Sequence, residues 1–184
     1  MTKALPMTSV ETMRTNARKH IERGAVTADY RADLKVVLSH LNDALATELI
    51  CVLRYRRHHF MSKGILAPAV AAEFLNHSNQ ELGHADLLAE RIVQLGGAPD
   101  FAPSGLVDRS HAEYIEGSSL QDRIHENLVA ERIAVNSYRD LIAYLGTDDP
   151  TTSEMLKTIL AVEEKHANEL ADLLQYFPRS EQHV

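Results

Sequence analysis

Tryptophan is absent from this chain, and cysteine occurs once, at Cys51. A lone cysteine excludes an internal disulfide framework and a paired-cysteine metal knuckle, and it suits a reducing compartment. Aromatic residues are scarce, and Val, Ile and the aromatics neither cluster nor alternate, so strands are not expected. No apolar run approaches the length of a membrane span. The opening stretch MTKALPMTSVETMRTNARKH lacks the apolar core of a secretory signal, so a cytoplasmic protein without a membrane partner is expected. Positive charge is in deficit. The net charge is −7, and the body of the protein should not attract nucleic acid by charge alone.

What remains is rich in Ala, Leu, Glu, Arg and His, a composition that favours helix. The 184 residues suffice for one domain with a sizeable core. A short amphipathic helix is expected near the N-terminus, with Thr8 and Glu11 as a capping box and Gly24 as its stop. A first long helix is expected from about Ala28 to Met61, with an apolar stripe of Leu34, Val37, Leu38, Leu41, Leu45, Val52 and Phe60. A second runs from about Pro68 to Leu95 and stops at the GGAP of 96–99. A third spans about Ser119 to Leu145, and a fourth is capped by Asp149-Pro150 and runs to about Tyr176. The link over 96–118 is too long for a tight hairpin, and LVDRSHAEYIEG within it has the pattern of a short helix. The chain therefore divides into an extension (1–27), a four-helix bundle with one long crossover (28–176) and a tail (177–184).

Four carboxylates fall on the wrong face. Glu48 lies between Leu45 and Val52 on the first stripe, and Glu131 between Leu128 and Val135 on the third. Glu81 and Glu163 are similarly placed on the second and fourth, each three residues before a histidine, His84 or His166. An unpaired buried carboxylate is expensive, and four would repel one another. Bound dications remove both problems, since carboxylate and imidazole ligate first-row metals. One Glu from each of two helices with Glu-x-x-His from each of the other two is the ligand pattern of di-iron and di-manganese bundles. One Glu-x-x-His is ordinarily a solvated pair, but here there are two. Glu48 precedes Glu81 by 33 positions and Glu131 precedes Glu163 by 32, while Tyr55 and Tyr138 each lie seven after their stripe glutamate. The chain reads as two similar helical hairpins facing each other about a pseudo-twofold. Glu164 competes with Glu163, but only Glu163 has the three-residue offset from His166. Other residues receive plainer readings. His58 and His59 read as a cationic helix end, His77 as a surface histidine, with a place behind the ligands or at a metal entry as alternatives, and Cys51, Met61 and Met155 as packing residues. Asp148, Asp149 and Glu169 read as solvated surface.

At these residues the sequence resembles the ferritin superfamily, most of all the bacterioferritins, over about residues 30 to 176. The motifs are ATELICVLRY (46–55), ELGHADLLAERIVQLGG (81–97), ENLVAERIAVNSY (126–138) and AVEEKHANELADLL (161–174). The resemblance implies an all-α ferritin-like fold with the crossover between helices B and C, and an intrasubunit ferroxidase centre. Glu48 and Glu131 would be terminal carboxylates, Glu81 and Glu163 would bridge, and His84 and His166 would be terminal imidazoles. Tyr55 matches the tyrosine that bacterioferritins carry beside this centre. Leu82 stands where they place a haem-ligating methionine, so no haem is expected, and RSEQHV after Pro178 cannot form their fifth helix. The N-terminal helical extension and the helix in the crossover look like Dps proteins, although the Asp of the Dps motif is replaced by His77. The implied protein is a Dps-like mini-ferritin with a bacterioferritin-type site, a dodecamer in preference to a 24-mer. It would take two irons per subunit, with manganese or zinc as substitutes, and oxidise ferrous iron with peroxide or dioxygen. Other readings are a rubrerythrin-like peroxidase, although paired CxxC motifs are absent, a DNA-binding Dps with a structural metal, and a manganese catalase. Residues 1–31 carry a net +3 against −10 for the rest, which suits weak DNA binding.

Overall fold

The computed structural model describes residues 7–177, which contain six α-helices and no strand. Helix α1 (Val10–Asn16) is capped by Ser9, whose hydroxyl accepts from the Thr12 N–H, so the cap sits one residue later than Thr8. Gly24, at φ +56°, ends a separate 3-10 turn at Ile21–Arg23. Helix α2 (Leu34–Met61) starts later than its composition suggests, because the Asp33 carboxylate accepts from the N–H groups of Lys35 and Val36 and fixes the N-terminus there. Helix α3 (Ala67–Gln94) takes Pro68 in its first turn. At its end Gly96 adopts φ +79°, and a Cβ on Gly97 would lie 2.6 Å from Leu38 Cδ2, so the chain reverses tightly against α2.

The crossover holds a 3-10 turn (Pro103–Gly105) and helix α4 (Leu106–Arg109). It is tied to α2: Leu106 packs with Ala46 and Ile50, and the His111 N–H donates to Thr47 Oγ1 at 2.9 Å. Helix α5 (Leu120–Leu145) opens with a capping box between Ser119 and Asp122, and helix α6 (Pro150–Leu174) is capped by Asp149. Helix α2 packs along α3 and α5 along α6, and the two hairpins close through α2–α5 and α3–α6 contacts.

The core is divided. One apolar cluster includes Leu41, Leu45, Leu88, Ile92, Leu145 and Leu156, and another includes Cys51, Tyr55, Phe74, Ile124 and Leu170. On every long helix the stripe glutamate falls between the two clusters. The bundle thus sandwiches a polar layer between two apolar plugs.

Several sequence readings need correction. Phe60 is 76% exposed, because the stripe of α2 leaves the bundle before its last turn. Met61, read as packing, is also exposed. One 18-residue window of α2 reaches a mean hydropathy of 1.5, so this helix is long and apolar enough to cross a membrane, contrary to expectation. Here 56% of that window is buried inside the bundle, as befits a central core helix that also carries Glu48. The expected absence of a fifth helix falls on residues 178–184, outside the described residues.

Candidate metal centre

Helical spacing brings all six expected ligands into the polar layer. Glu48, Glu81, Glu131, Glu163 and His166 are at most 1% exposed, and His84 is 6% exposed. His84 Nδ1 lies 2.7 Å from Glu163 Oε1, 3.4 Å from Glu48 Oε2 and 3.5 Å from Glu81 Oε2. His166 Nδ1 lies 3.2 Å from Glu81, 3.7 Å from Glu163 and 3.8 Å from Glu131. Two overlapping sets result, Glu48/Glu81/His84/Glu163 and Glu81/Glu131/Glu163/His166, each with ligand atoms mutually within 4.8 Å. They share Glu81 and Glu163. Glu164 instead pairs with Arg139 at the surface.

The pseudo-twofold extends to the tyrosines. Tyr55 donates to Glu131 and Tyr138 to Glu48, each reaching across to the opposite hairpin. Gln80 Oε1 accepts from His166 Nε2 at 2.8 Å, which leaves Nδ1 to face the carboxylates. Beside His84 a pocket of about 300 Å³, lined by Gln80, Gly83, His84, Leu87, Thr158, Ile159 and Val162, adjoins the centre.

Electrostatics show what the layer lacks. Burial and the neighbouring Glu81 push Glu48 up to about 8, and burial with the charge of Glu163 pushes Glu131 well above the usual range. Burial opposes a charge on His84, but Glu163, Glu48 and Glu81 outweigh it and hold His84 up to about 12. His166 is held up to about 10 in the same way, by Glu163 and Glu81. Without metal the layer stays tolerable by keeping protons on both imidazoles and by favouring the neutral form of the Glu48 and Glu131 carboxyls. Even so, Glu48 Oε2, Glu81 Oε1, both Glu163 oxygens, His84 Nδ1 and His166 Nδ1 lack a hydrogen bond of good geometry. These six are all of the unpartnered buried side-chain atoms among the described residues apart from three arginine Nε atoms. Orphaned carboxylate oxygens and imidazole nitrogens converging on two points are a donor set that fits two divalent ions.

Some neighbours were not expected. His77 is fully buried, stacks on the His166 ring at a 3.9 Å centroid distance, and lies 3.2 Å from the Tyr55 hydroxyl. Burial, helped by His166, pushes it down to about 4. Its partner Glu169, read as solvated, is half-buried. His58 is also buried, with its ring bonded to the Ile115 carbonyl and to Asn127, so it is not a cationic helix end. Arg54, 1% exposed, donates to Asn127 and to the Glu113 carbonyl. One signal was available: His77 lies four before Glu81 and Asn127 four before Glu131, on the inward stripes.

Fold and site together define a four-helix bundle with a paired carboxylate–histidine layer at its waist. The family model described as a ferritin-like domain matches residues 38–180, and the chain belongs to that family. Among relatives, bacterioferritin BfrA of Mycobacterium tuberculosis (strain H37Rv) is 26% identical over 140 residues, covering 76% of this chain and 84% of the relative. A nutrient stress-induced DNA-binding protein of a Synechococcus species is 28% identical, covering 73% and 78%. A solved dodecameric thioferritin, the bacterioferritin-related protein of Bacteroides fragilis, superposes with a TM-score of 0.76 at 29% identity, covering 78% of this chain and 87% of that one.

Proposed function

We propose that the protein is a ferroxidase that oxidises ferrous iron at the paired layer and stores the ferric product inside a protein shell. The observation that carries this reading is the pair of ligand sets sharing Glu81 and Glu163, with orphaned atoms in both. Two ferrous ions are substrates, one on each side of the shared carboxylates. Each loses one electron, and one peroxide accepts both with two protons to give two waters. Dioxygen is the alternative acceptor.

The chain's residues supply geometry and charge. Four carboxylates stabilise the extra positive charge of the ferric state. Glu81 and Glu163 hold the two ions close enough for both electrons to reach one oxidant, which avoids releasing a radical. Loading displaces the protons that His84 and His166 hold in the metal-free layer. Tyr138 and Tyr55 fix Glu48 and Glu131 by hydrogen bonds, and Gln80 fixes the tautomer of His166.

A shell of twelve copies is supported by the dodecameric relative and by exposed apolar residues at the α2–α3 turn, among them Phe60, Ile65 and Leu66. The cytoplasmic reading rests on the single free cysteine. Rapid mixing of the metal-free protein with ferrous iron and peroxide tests the activity. Ferric absorbance should grow faster than in buffer, and no growth beyond the buffer control would refute it.

A further inference from the structure

Of the eight glycines, only Gly83 lies inside one of the four long helices. A glycine in a helix interior is destabilising relative to alanine, so its presence there calls for a reason. The two usual reasons fail. Its φ is not positive, and a Cβ built on it would meet nothing within 4 Å. Neither the course of the chain nor a close neighbour requires it.

The space that the missing side chain leaves lies over the paired layer. Gly83 directly precedes His84 and lines with it the pocket of about 300 Å³ between α3 and α6. His84 is also the ligand that solvent reaches, at 6% exposed where the other five are at most 1%. It belongs both to the layer and to the pocket wall. Leu87, Ile159 and Val162 make the rest of the wall largely apolar. Gln80 Oε1 is engaged by His166, the Thr158 hydroxyl donates to the Glu154 carbonyl, and none of the described lining residues is Asp, Glu, Lys or Arg. A ferrous ion would have to shed water there with no charged group to replace it. Hydrogen peroxide and dioxygen carry no charge and cross such a mouth at small cost.

We infer that Gly83 is the size-determining residue of an oxidant inlet: its missing side chain keeps open the α3–α6 pocket, through which a small uncharged oxidant reaches the paired layer beside His84. Residues larger than glycine at this position would project into the mouth, since nothing else fills that space. The inlet rests on the ferroxidase reading.

The test separates inlet from fold. Full-length protein preloaded anaerobically with ferrous iron is mixed with hydrogen peroxide or with the bulkier tert-butyl hydroperoxide, and ferric absorbance is followed. Either peroxide takes two electrons and two protons, and the second gives tert-butanol and water. Gly83→Ala should keep its rate with hydrogen peroxide and lose about tenfold with tert-butyl hydroperoxide, because one methyl group narrows the mouth. Gly83→Leu should lose about tenfold or more with both. Cobalt(II), which should bind without being oxidised, should titrate to the same stoichiometry and affinity in wild type and both variants, since no ligand is altered. The thermal midpoint of Gly83→Ala should rise by about 2–4 °C, as a helix interior gains an alanine. Rates unchanged in both variants, while wild type oxidises iron faster than buffer, would overturn the inference and leave the ferroxidase reading intact. A fall in the thermal midpoint of Gly83→Ala, or in its mass by light scattering, would mean that packing requires the glycine and would equally overturn it. No oxidation by wild type would refute the ferroxidase reading itself, and the inlet with it.

Discussion

At the scale of single residues, Glu81 and Glu163 carry the most. Each belongs to both ligand sets, so losing either should disable both ions. Glu81→Ala and Glu163→Ala are each expected to slow fast ferrous oxidation by more than tenfold in stopped-flow absorbance. Normal rates in both variants would refute the assignment. Metal-free thermal stability should hold or rise, because one member of a crowded buried carboxylate group is gone. His58 supports a different prediction. Burial, reinforced by Arg54 and Arg123, pushes it from 6.5 down to about 4, while bonds to Ile115 and Asn127 offset this only in part. The unfolded chain therefore binds a proton that the folded chain refuses between those values. The stabilisation is full above about pH 6.5 and is lost as pH falls toward 4. Replacing His58 with Gln should flatten the urea-unfolding free energy between pH 7 and 5 by about 1–2 kcal/mol. A slope identical to wild type would contradict it.

The buried layer of six proposed ligands was legible in the sequence and the residues that support it were not, for one physical reason. A carboxylate on an apolar stripe announces itself through helical period alone, and so does a histidine three residues on. Nothing local marks His58 or Arg54, because their partners are the Ile115 carbonyl and Asn127, and the place of His77 four before Glu81 gives no sign of Glu169, its partner across the bundle; only tertiary folding brings these groups near.

At the scale of elements, the N-terminus of α6 shows the same divide. Asp149 reads as a cap from the Asp-Pro step, and it does accept from the Thr152 N–H at 2.9 Å. It also takes two bonds from Arg91 of α3 and one from Tyr30, which lies just before α2, so a residue read as solvated is 2% exposed. One carboxylate thereby joins α6, α3 and the segment before α2. Asp149→Ala should cost about 3–5 kcal/mol, because it strands a buried guanidinium as well as removing a cap. Thermal unfolding checks this, and a loss under 1 kcal/mol would mean that water replaces the carboxylate. Burial raises the Asp149 carboxyl, but Thr152, Tyr30 and Arg91 outweigh it and hold it below 3.8. Its contribution is present above that value and fades only as pH falls through the lower folded value. The late start of α2 was missed because residues 28–33 have ordinary composition, and the Asp33 cap is recognised only by its bonds.

At the scale of the whole molecule, the four-helix plan and its crossover were legible because each long helix is amphipathic and bounded by caps or glycine and proline. Assembly was not, since no interface has a periodicity. Light scattering should give a mass near twelve chains, and a monomer or dimer would remove the shell from the account. The extension bears on DNA. In α1 and the following turn Arg14, Arg18, Lys19 and Arg23 are exposed and α1 buries nothing, whereas Arg31 is engaged with Asp148. Lys3 lies outside the described residues. If twelve copies assemble as proposed, any DNA binding through these arms would be weak, opposed by the acidic body, sensitive to salt and lost on deletion of residues 1–26, and no gel shift at low salt with the full chain would remove direct DNA binding from the account. A shift that survives the deletion would exonerate the arm.

The paired layer is the centre of the account, and anomalous scattering at the iron edge from anaerobic, ferrous-loaded crystals tests it most directly. The expected result is two peaks per chain inside the bundle, one among Glu48, Glu81, His84 and Glu163 and one among Glu81, Glu131, Glu163 and His166. Iron bound only at the surface, or a layer that stays empty of iron, would contradict it.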